Sequence, residues 1–282
     1  MRVTALIENS RLEGRDDLEA EFGLSLHIEH GGKQILFDTG TSGVFASNAA
    51  TMGIDLAGVD VAVVSHHHFD HGGGLERFFE ANNRAPVYLR ESEGGQRYFR
   101  AFAVIKRPIG LDLGVLDRFQ DRFEEVTGLD EIVPGVFLLT DIGVSHERPR
   151  GNSHLFVERS GTLVPDPFDH ELMMVVQEAD GMVVFSGCSH HGILNMIDAA
   201  VEQFPDVPIK AVFGGFHLIG LPFLNTMAGS RSEVEEIGRQ ILGRVAGTVY
   251  SGHCTGEKAF NVLEGVMGET LQPFPTGASV DV

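Results

Sequence analysis

The chain has 282 residues, with 21 Lys and Arg against 40 Asp and Glu, which gives a formal net charge of -19 at neutral pH. This acidity argues against general DNA or RNA binding and against docking on anionic membranes, since both need a basic surface. Hydrophobic residues make up 43% of the chain and charged residues 22%, which is typical of a globular protein and excludes wholesale disorder.

Residues 1–10 lack the apolar core of a signal peptide, and no apolar run approaches the roughly 20 residues that cross a bilayer. The chain has 2 cysteines, too few for a disulfide scaffold. We therefore expect a cytoplasmic protein without a membrane partner.

Apolar runs separated by glycines predict strands in the first third of the chain, at 3–7, 23–29, 34–37, 59–65 and 86–89. Residues 59–65 (VDVAVVS) form a mainly apolar run, which is typical of a buried central strand. Residues 74–82 place Leu75, Phe78 and Phe79 on one face of a predicted helix. A second run of mostly antiparallel strands is predicted at 136–140, 154–157, 172–177 and 182–186.

The last third alternates between helix and strand. Helices are predicted at 193–204, 232–246 and 257–267, and strands at 210–214 and 248–251. Two sheets covered on their outer faces by helices would accommodate this order. We predict an α+β fold, a four-layer αββα sandwich, in a single domain that spans residues 1–282.

The stretch at about 84–122 is the least regular, and its first part is basic in an otherwise acidic chain. A solvated surface loop would explain this composition. The alternative is an insertion over an active site, where Arg and Lys attract an anionic substrate. On that interpretation the substrate-binding side chains are Arg97, Arg100, Lys106 and Arg107.

Four histidines fall within six residues, just after the predicted central strand, and glycines 72–74 follow them. The sequence reads His66, His67, His68, Phe69, Asp70, His71. Imidazole and carboxylate bind zinc, iron and manganese, and clustered imidazoles would be costly to bury without a metal or an anion. The cluster predicts a metal site.

His66-x-His68-x-Asp70-His71 resembles the HxHxDH signature of the metallo-β-lactamase superfamily, and Phe37-Asp38-Thr39-Gly40 is similar to its early strand-end Asp. Three later segments resemble one branch of that superfamily, which contains a dihydropterin/ribosylaminobenzene-phosphate synthase and many metal-dependent hydrolases. They are Gly187-Cys188-Ser189-His190, Gly214-Gly215-Phe216-His217-Leu218 and His253-Cys254-Thr255-Gly256.

The resemblance implies a sandwich of metallo-β-lactamase type and two metal positions. His66 and His68 would bind the first metal, and Asp70, His71 and His253 the second. Cys188 stands where the superfamily has a bridging Asp, and His190 is the expected third ligand of the first metal. Cys188 and His170 remain alternatives for that ligand. Asp38 is expected to orient a ligand histidine.

One or two zinc ions are expected, with manganese or iron as alternatives. Such a metal would generate a bound hydroxide that attacks an ester, lactone or phosphoester of an anionic small molecule. Asp70 would orient the nucleophile. His217 would contact the substrate or support a metal ligand. A synthase-like condensation is a special case. The alternatives are a di-iron redox enzyme and a non-catalytic metal-binding receptor or sensor. Hydrolysis of β-lactams is not expected, and the sequence predicts no oligomeric state.

Overall fold

The computed structural model describes residues 1–102, 105–221 and 224–282. Its strands, in chain order, are β1 (Arg2–Ile7), β2 (Ser25–His30), β3 (Lys33–Phe37), β4 (Val61–Val63), β5 (Val87–Arg90), β6 (Arg97–Ala101), β7 (Ile105–Pro108), β8 (Phe123–Val126), β9 (Leu129–Val133), β10 (Val136–Leu139), β11 (Leu155–Arg159), β12 (Thr162–Pro165), β13 (Met173–Glu178), β14 (Gly181–Phe185), β15 (Ile209–Gly214), β16 (Val245–Ser251), β17 (Leu271–Pro273) and β18 (Ser279–Asp281). The α-helices are α1 (Val44–Thr51), α2 (Phe69–Gly72), α3 (Leu75–Ala81), α4 (Leu113–Arg118), α5 (Ile193–Gln203), α6 (Arg231–Leu242) and α7 (Glu257–Met267).

The chain divides into two compact units. Unit 1 comprises Met1–Val126, Leu155–His170 and Phe274–Val282, and unit 2 comprises Thr127–His154 and Glu171–Pro273.

The main sheet of unit 1 has the order β18-β1-β2-β3-β4-β5-β8. Pairing is antiparallel from β18 to β3 and parallel from β3 to β8. Strand β4 is central and fully buried, as its apolar sequence predicts. Because β3 and β4 are parallel, the residues that follow Phe37 and Val63 emerge at the same edge of the sheet.

The sheet of unit 2 has the order β17-β16-β15-β14-β13-β10-β9. Strands β14, β15, β16 and β17 pair in parallel, and β14 begins the antiparallel part through β13 and β10. Helices α5, α6 and α7 bury their apolar sides in the core of this unit, which includes Ile197, Ile241 and Leu263. A capping box of Ser230 and Glu233 begins α6 one residue before its predicted start.

A further sheet of unit 1, in the order β12-β11-β6-β7, differs from the sequence-based expectations. Residues 154–157 were expected among the antiparallel strands of the second run, but β11 pairs with β6 and β12 instead. The stretch 84–122 is not irregular over its described part, since it contains β5, β6, β7 and α4. Strands β6 and β7 are short and carry Arg and Lys, so they show little apolar periodicity, which explains why the sequence did not reveal these two strands.

Among the described residues, no helix is both long and apolar enough to cross a membrane.

Candidate metal centre

In unit 1, the candidate site begins where β3 and β4 end. Asp38 follows β3 with φ of 60°, in the left-handed region that non-glycine residues seldom adopt. Its carboxylate accepts hydrogen bonds from the backbone N–H of Ser65 (2.7 Å) and from the Ser65 hydroxyl (2.8 Å). The Nδ1 of His71 lies 2.6 Å from the same carboxylate. The two strand ends and the His71 ring are thus held together by one buried acidic side chain.

The three histidines of the HxHxDH motif pack against one another. The ring centroids of His66 and His71 lie 4.1 Å apart, and those of His66 and His68 lie 4.6 Å apart. Burial, with the adjacent charge of His170, holds the pKa of His68 well below its usual value. An imidazole that stays neutral keeps a lone pair for a metal ion.

Asp70 lies in the short helix α2, and one of its carboxylate oxygens is 3.9 Å from Nε2 of His71. A hydrogen bond from Nδ1–H of His71 to Asp38 places the lone pair of the ring on the opposite nitrogen, Nε2. A carboxylate supports a metal-binding histidine in the same way. The structure therefore brings imidazole and carboxylate side chains together at the end of β4, and their role as metal ligands stays a prediction.

His170 contacts the same segment from another part of unit 1. Its Nδ1 lies 2.9 Å from the backbone nitrogen of His67, which donates to it, and its Nε2 lies 3.3 Å from Asp166. His68, Asp166 and His170 have potential ligand atoms within 4.8 Å of one another. His170 therefore stays a candidate ligand, and it also fixes the backbone between His66 and His68.

In unit 2, the candidate residues follow parallel strands. Cys188 comes after β14, His217 after β15 and His253 after β16, so that all three emerge at the same edge of one sheet. The rings of Phe185, Phe213 and Tyr250 stack across these strands just before the site, with centroids 5.1 and 4.5 Å apart. That stack fixes the register of the strand ends.

The loop with Ser189, His190 and His191 is held by two polar side chains. Glu171 is fully buried and accepts from the backbone N–H of His190 (2.6 Å) and of His191 (2.8 Å), and it lies 2.6 Å from Nδ1 of His191. The amide oxygen of Asn152 lies 2.9 Å from Nδ1 of His190, and the amide NH₂ of Asn152 donates to the His190 carbonyl oxygen at 2.8 Å. Both contacts orient the His190 ring.

Backbone strain is concentrated at these loops. Ser189, His217 and His253 have φ values of 56°, 47° and 47°, each just beyond the end of a strand. A left-handed residue other than glycine costs about 1–2 kcal/mol and persists where the surroundings impose it. Such positions are frequent at functional sites.

The four predicted substrate-binding cations have different surroundings. Arg97 is buried, its Nε lies 3.7 Å from Asp166, and it donates to Ser92 at 2.8 Å. Burial lowers the pKa of Arg97, and its guanidinium serves contacts within unit 1. The other three are exposed on the hairpin of β6 and β7, where Arg100 pairs in register with Lys106 and Arg107 with Phe99.

The donor chemistry of each unit fits a divalent metal ion, because unit 1 has buried imidazoles and a carboxylate at its strand ends and unit 2 has buried imidazoles and a thiol. Sequence reasoning missed the residues that support these donors, namely Ser65, Asn152, Asp166 and Glu171. Ser65 and Glu171 carried a local signal, since they stand beside His66 and His170 in the sequence.

The family model of the metallo-beta-lactamase superfamily matches residues 19–253, which is more than half of the chain. The chain belongs to the metallo-β-lactamase superfamily. The α+β sandwich class predicted from the motifs is confirmed by this match and by a solved relative. That relative is Tm1679, a metal-dependent hydrolase of the β-lactamase superfamily, which is 32% identical, has a TM-score of 0.83 and is aligned over 100% of this chain and 99% of its own.

Two other proteins extend the comparison. The 7,8-dihydropterin-6-methyl-4-(β-D-ribofuranosyl)-aminobenzene-5′-phosphate synthase of Methanocaldococcus jannaschii is 26% identical over 92% of this chain and 89% of its own. Zn²⁺-bound PqqB from Methylobacterium extorquens is 11% identical with a TM-score of 0.58, over 100% of both chains, and shares the fold alone. These similarities leave the reaction of this chain to be proposed.

Proposed function

We propose that this chain is a metal-dependent hydrolase that acts on an ester, lactone or phosphoester of an anionic small molecule. The observation that carries the proposal is the buried group of His66, His68 and His71. Asp38 accepts a hydrogen bond from Nδ1 of His71. Buried imidazoles that are packed together and oriented by a carboxylate suit metal binding better than they suit a stable core.

A divalent metal bound by these donors would polarise a carbonyl or phosphoryl oxygen and acidify a water molecule. Within unit 1, Asp38 keeps the proton of His71 on Nδ1, so that Nε2 can donate its lone pair. Asp70, beside Nε2 of His71, is placed to hold or accept a proton at its carboxylate. The ligand roles of His190 and His253 stay predictions from the resemblance.

The choice of an anionic substrate depends on the hairpin of β6 and β7. Arg100, Lys106 and Arg107 are exposed there, and the charge of the chain as a whole is strongly negative. A local excess of cations on an acidic protein attracts anions. Zinc suits the His and Asp donors, with manganese or iron as alternatives.

A second candidate function is a synthase-like condensation. It is favoured by the similarity to the archaeal dihydropterin synthase, which extends over most of both chains. An aromatic pterin and a sugar phosphate would need both ring contacts and cations, and the hairpin offers Tyr98 and Lys106 side by side, with the ammonium 3.9 Å from the ring centroid.

The test is hydrolysis by the metal-loaded protein of a panel that contains a phosphodiester, a lactone and an ester of a dicarboxylic acid. We expect metal-dependent turnover of at least one class, lost in His68→Ala and retained in His30→Ala, which alters a histidine at the end of β2. Elemental analysis of the same samples should find one or two metal ions per chain.

Three results would overturn the hydrolase proposal. Turnover that survives in His68→Ala would place the reaction elsewhere. Bound iron with oxygen consumption and no hydrolysis would favour a redox enzyme, and a metal-loaded protein that binds small anions without turning them over would favour a receptor.

A further inference from the structure

The predicted ligand segment of unit 1, residues 66–68, lies beyond the end of β4 and outside any strand. Its backbone N–H groups are buried and still need acceptors. The N–H of Phe69, the next residue, donates to the carbonyl oxygen of Ile109 at 2.9 Å. The N–H of His67 instead donates to a side chain, Nδ1 of His170, at 2.9 Å. An imidazole nitrogen thus takes the place that a backbone carbonyl would have in a ladder of strands.

That hydrogen bond determines where the proton of the His170 ring lies. A backbone N–H can only donate, so Nδ1 of His170 supplies the lone pair. In a neutral imidazole the proton is then on Nε2, which lies 3.3 Å from the Asp166 carboxylate. An ionised carboxylate can only accept, so both contacts select the same tautomer. The neutral ring therefore uses both nitrogens inside unit 1 and keeps no lone pair for a metal ion.

Asp166 is itself held by two further groups of unit 1. One of its oxygens accepts from the backbone N–H of Phe168 at 2.8 Å, and the other lies 3.7 Å from Nε of Arg97. Asp166 and Arg97 are both buried, and a buried carboxylate needs a cation and hydrogen-bond donors around it. Arg97 also donates to the hydroxyl of Ser92 at 2.8 Å. The acceptor that orients the His170 ring is thus fixed in position.

Arg97, Asp166 and His170 form a connected buried path in unit 1, from β6 to the backbone of His67. We propose that His170 is a positioning residue for the metal donors and not a metal ligand. It acts through the His67 backbone, which stands between the two predicted ligands of the first metal.

A metal ion at His170 is the rival interpretation. Potential ligand atoms of His68, Asp166 and His170 lie within 4.8 Å of one another, so distance alone would permit an ion there. A metal on Nδ1 of His170 would leave the buried His67 N–H without its acceptor, at a cost of about 1–3 kcal/mol. A metal on Nε2 would displace the proton that faces Asp166.

The inference rests on the proposed function for the premise that the chain binds metal. It removes His170 from the alternatives for the third ligand of the first metal, which the sequence left open.

Three substitutions of His170 separate positioning from ligation, with zinc affinity measured by competition with a chromophoric chelator. His170→Ala should weaken zinc binding by about 10- to 100-fold, the usual effect of losing a group that supports a ligand. His170→Asn should recover the affinity to within about threefold of wild type, because its amide oxygen can accept the His67 N–H in place of Nδ1. His170→Cys should bind zinc as weakly as His170→Ala, although a thiolate is a good zinc ligand.

His27→Ala is the matched control for a purely structural effect. His27 is also buried in unit 1, and its Nε2 lies 3.2 Å from the side-chain oxygen of Gln34. This variant should lower the free energy of unfolding in urea and leave the zinc affinity of the folded protein unchanged. If the role of His170 were confined to stability, His170→Ala would behave in the same way. Far-ultraviolet circular dichroism checks that each variant is folded.

Nuclear magnetic resonance of the full-length, ¹⁵N-histidine-labelled protein loaded with ¹¹³Cd²⁺ tests ligation directly. A nitrogen bound to ¹¹³Cd shows a one-bond coupling to the metal, and the ring nitrogen shifts report the tautomer. The His170 signals are assigned by their absence in His170→Asn. We expect a His170 ring with its proton on Nε2 and no coupling of either nitrogen to ¹¹³Cd.

Four results would overturn the inference. They are ¹¹³Cd coupling to a His170 nitrogen, zinc affinity unchanged in His170→Ala, a His170→Asn variant no tighter than His170→Ala, and a His170→Cys variant as tight as wild type. The hydrolase proposal fails separately, if the variants have the expected zinc affinities and the zinc-loaded wild type hydrolyses none of the substrate panel. A wild type that binds no metal would overturn both.

Discussion

Asp38 is the residue on which the unit 1 donors depend most directly. Its carboxylate accepts hydrogen bonds from the Ser65 backbone N–H, from the Ser65 hydroxyl and from Nδ1 of His71. The Phe37-Asp38-Thr39-Gly40 motif predicted an orienting Asp. The identity of its partner, 33 positions along the chain, follows only from the parallel pairing of β3 and β4.

We expect Asp38→Asn to weaken zinc binding by about 10- to 100-fold, because an amide has one acceptor oxygen where the carboxylate has two. Competition with a chromophoric chelator measures the affinity. Asp60→Asn is the matched control, since Asp60 also accepts a backbone N–H in unit 1, from Gln34, before β4 begins. An equal loss of affinity in both variants would show that the effect of Asp38 is not specific to the metal donors.

Glu171 has the corresponding position in unit 2, where both of its oxygens face N–H donors of His190 and His191. In Glu171→Gln the amide NH₂ must face one of these donors in either orientation. We expect a loss of about 1–3 kcal/mol in the free energy of unfolding, the usual cost of an unsatisfied buried polar group.

Urea denaturation of the metal-free protein checks this value, with Glu264→Gln on the exposed side of α7 as control. A Glu171→Gln variant as stable as the control would mean that the carboxylate is not needed to hold the His190–His191 backbone.

At the scale of elements, the glycines after His71 let α2 and α3 pack against the loop that follows Asp38. A Cβ on Gly73 would lie 2.1 Å from the Thr41 carbonyl oxygen and 2.5 Å from that of Phe69. Two backbone atoms cannot move aside as a flexible side chain can. The sequence indicated close backbone approach at these glycines, but only the structure identifies what approaches them.

Gly73→Ala should therefore destabilise the protein by more than about 2 kcal/mol, within the range known for overpacking. Gly265→Ala, inside α7 with open space around its Cβ position, should stabilise it by about 0.5–1 kcal/mol. Chemical denaturation of the two variants in parallel is the measurement. A stable Gly73→Ala protein would be incompatible with the packing of α2.

The hairpin of β6 and β7 makes a prediction about substrate charge. Lys106→Glu combined with Arg107→Glu should raise KM for an anionic ester several-fold and leave KM for a neutral ester unchanged, because electrostatic attraction acts on the charge alone. The comparison control is Lys210→Glu, since Lys210 pairs with Asp180 in unit 2. If KM for both esters rises equally, the hairpin shapes the binding site and does not select charge.

For the whole molecule, buried histidines predict acid sensitivity once metal is removed. Burial lowers the pKa of His27, only partly offset by its hydrogen bond with Gln34, and burial also lowers the pKa of His67. A histidine whose pKa is lower in the folded state takes up its proton on unfolding. Its stabilising effect is therefore complete above the unfolded pKa of about 6.5 and is lost as the pH falls below it.

We expect the metal-free protein to unfold at a lower urea concentration at pH 5.5 than at pH 7.5, and His27→Gln to reduce that difference. Zinc should raise the urea midpoint at pH 7.5. When the free zinc concentration is 100 times Kd, the free energy of unfolding should rise by about 2.7 kcal/mol. Equal midpoints at the two pH values would contradict the expected uptake of protons.

The sequence by itself determined the family, the ordering of most strands and helices, and the motif that places His66, His68, Asp70 and His71 after a buried strand. These are local properties: apolar runs, glycine positions and ligand spacing are all written in neighbouring residues. Strands β6 and β7 were not predicted because they are short and polar, and β6 has its partner β11 far away in the chain.

Tertiary structure alone decided which distant groups support the donors. Asn152 orients His190 across 38 positions, Glu171 holds the His190–His191 backbone across about 20, and His170 contacts the His67 backbone across 103. It also placed the His217 backbone N–H against the sulfur of Cys254 and used Arg97 inside unit 1. Hydrogen bonds between residues so far apart follow from the pairing of strands, which no local pattern encodes.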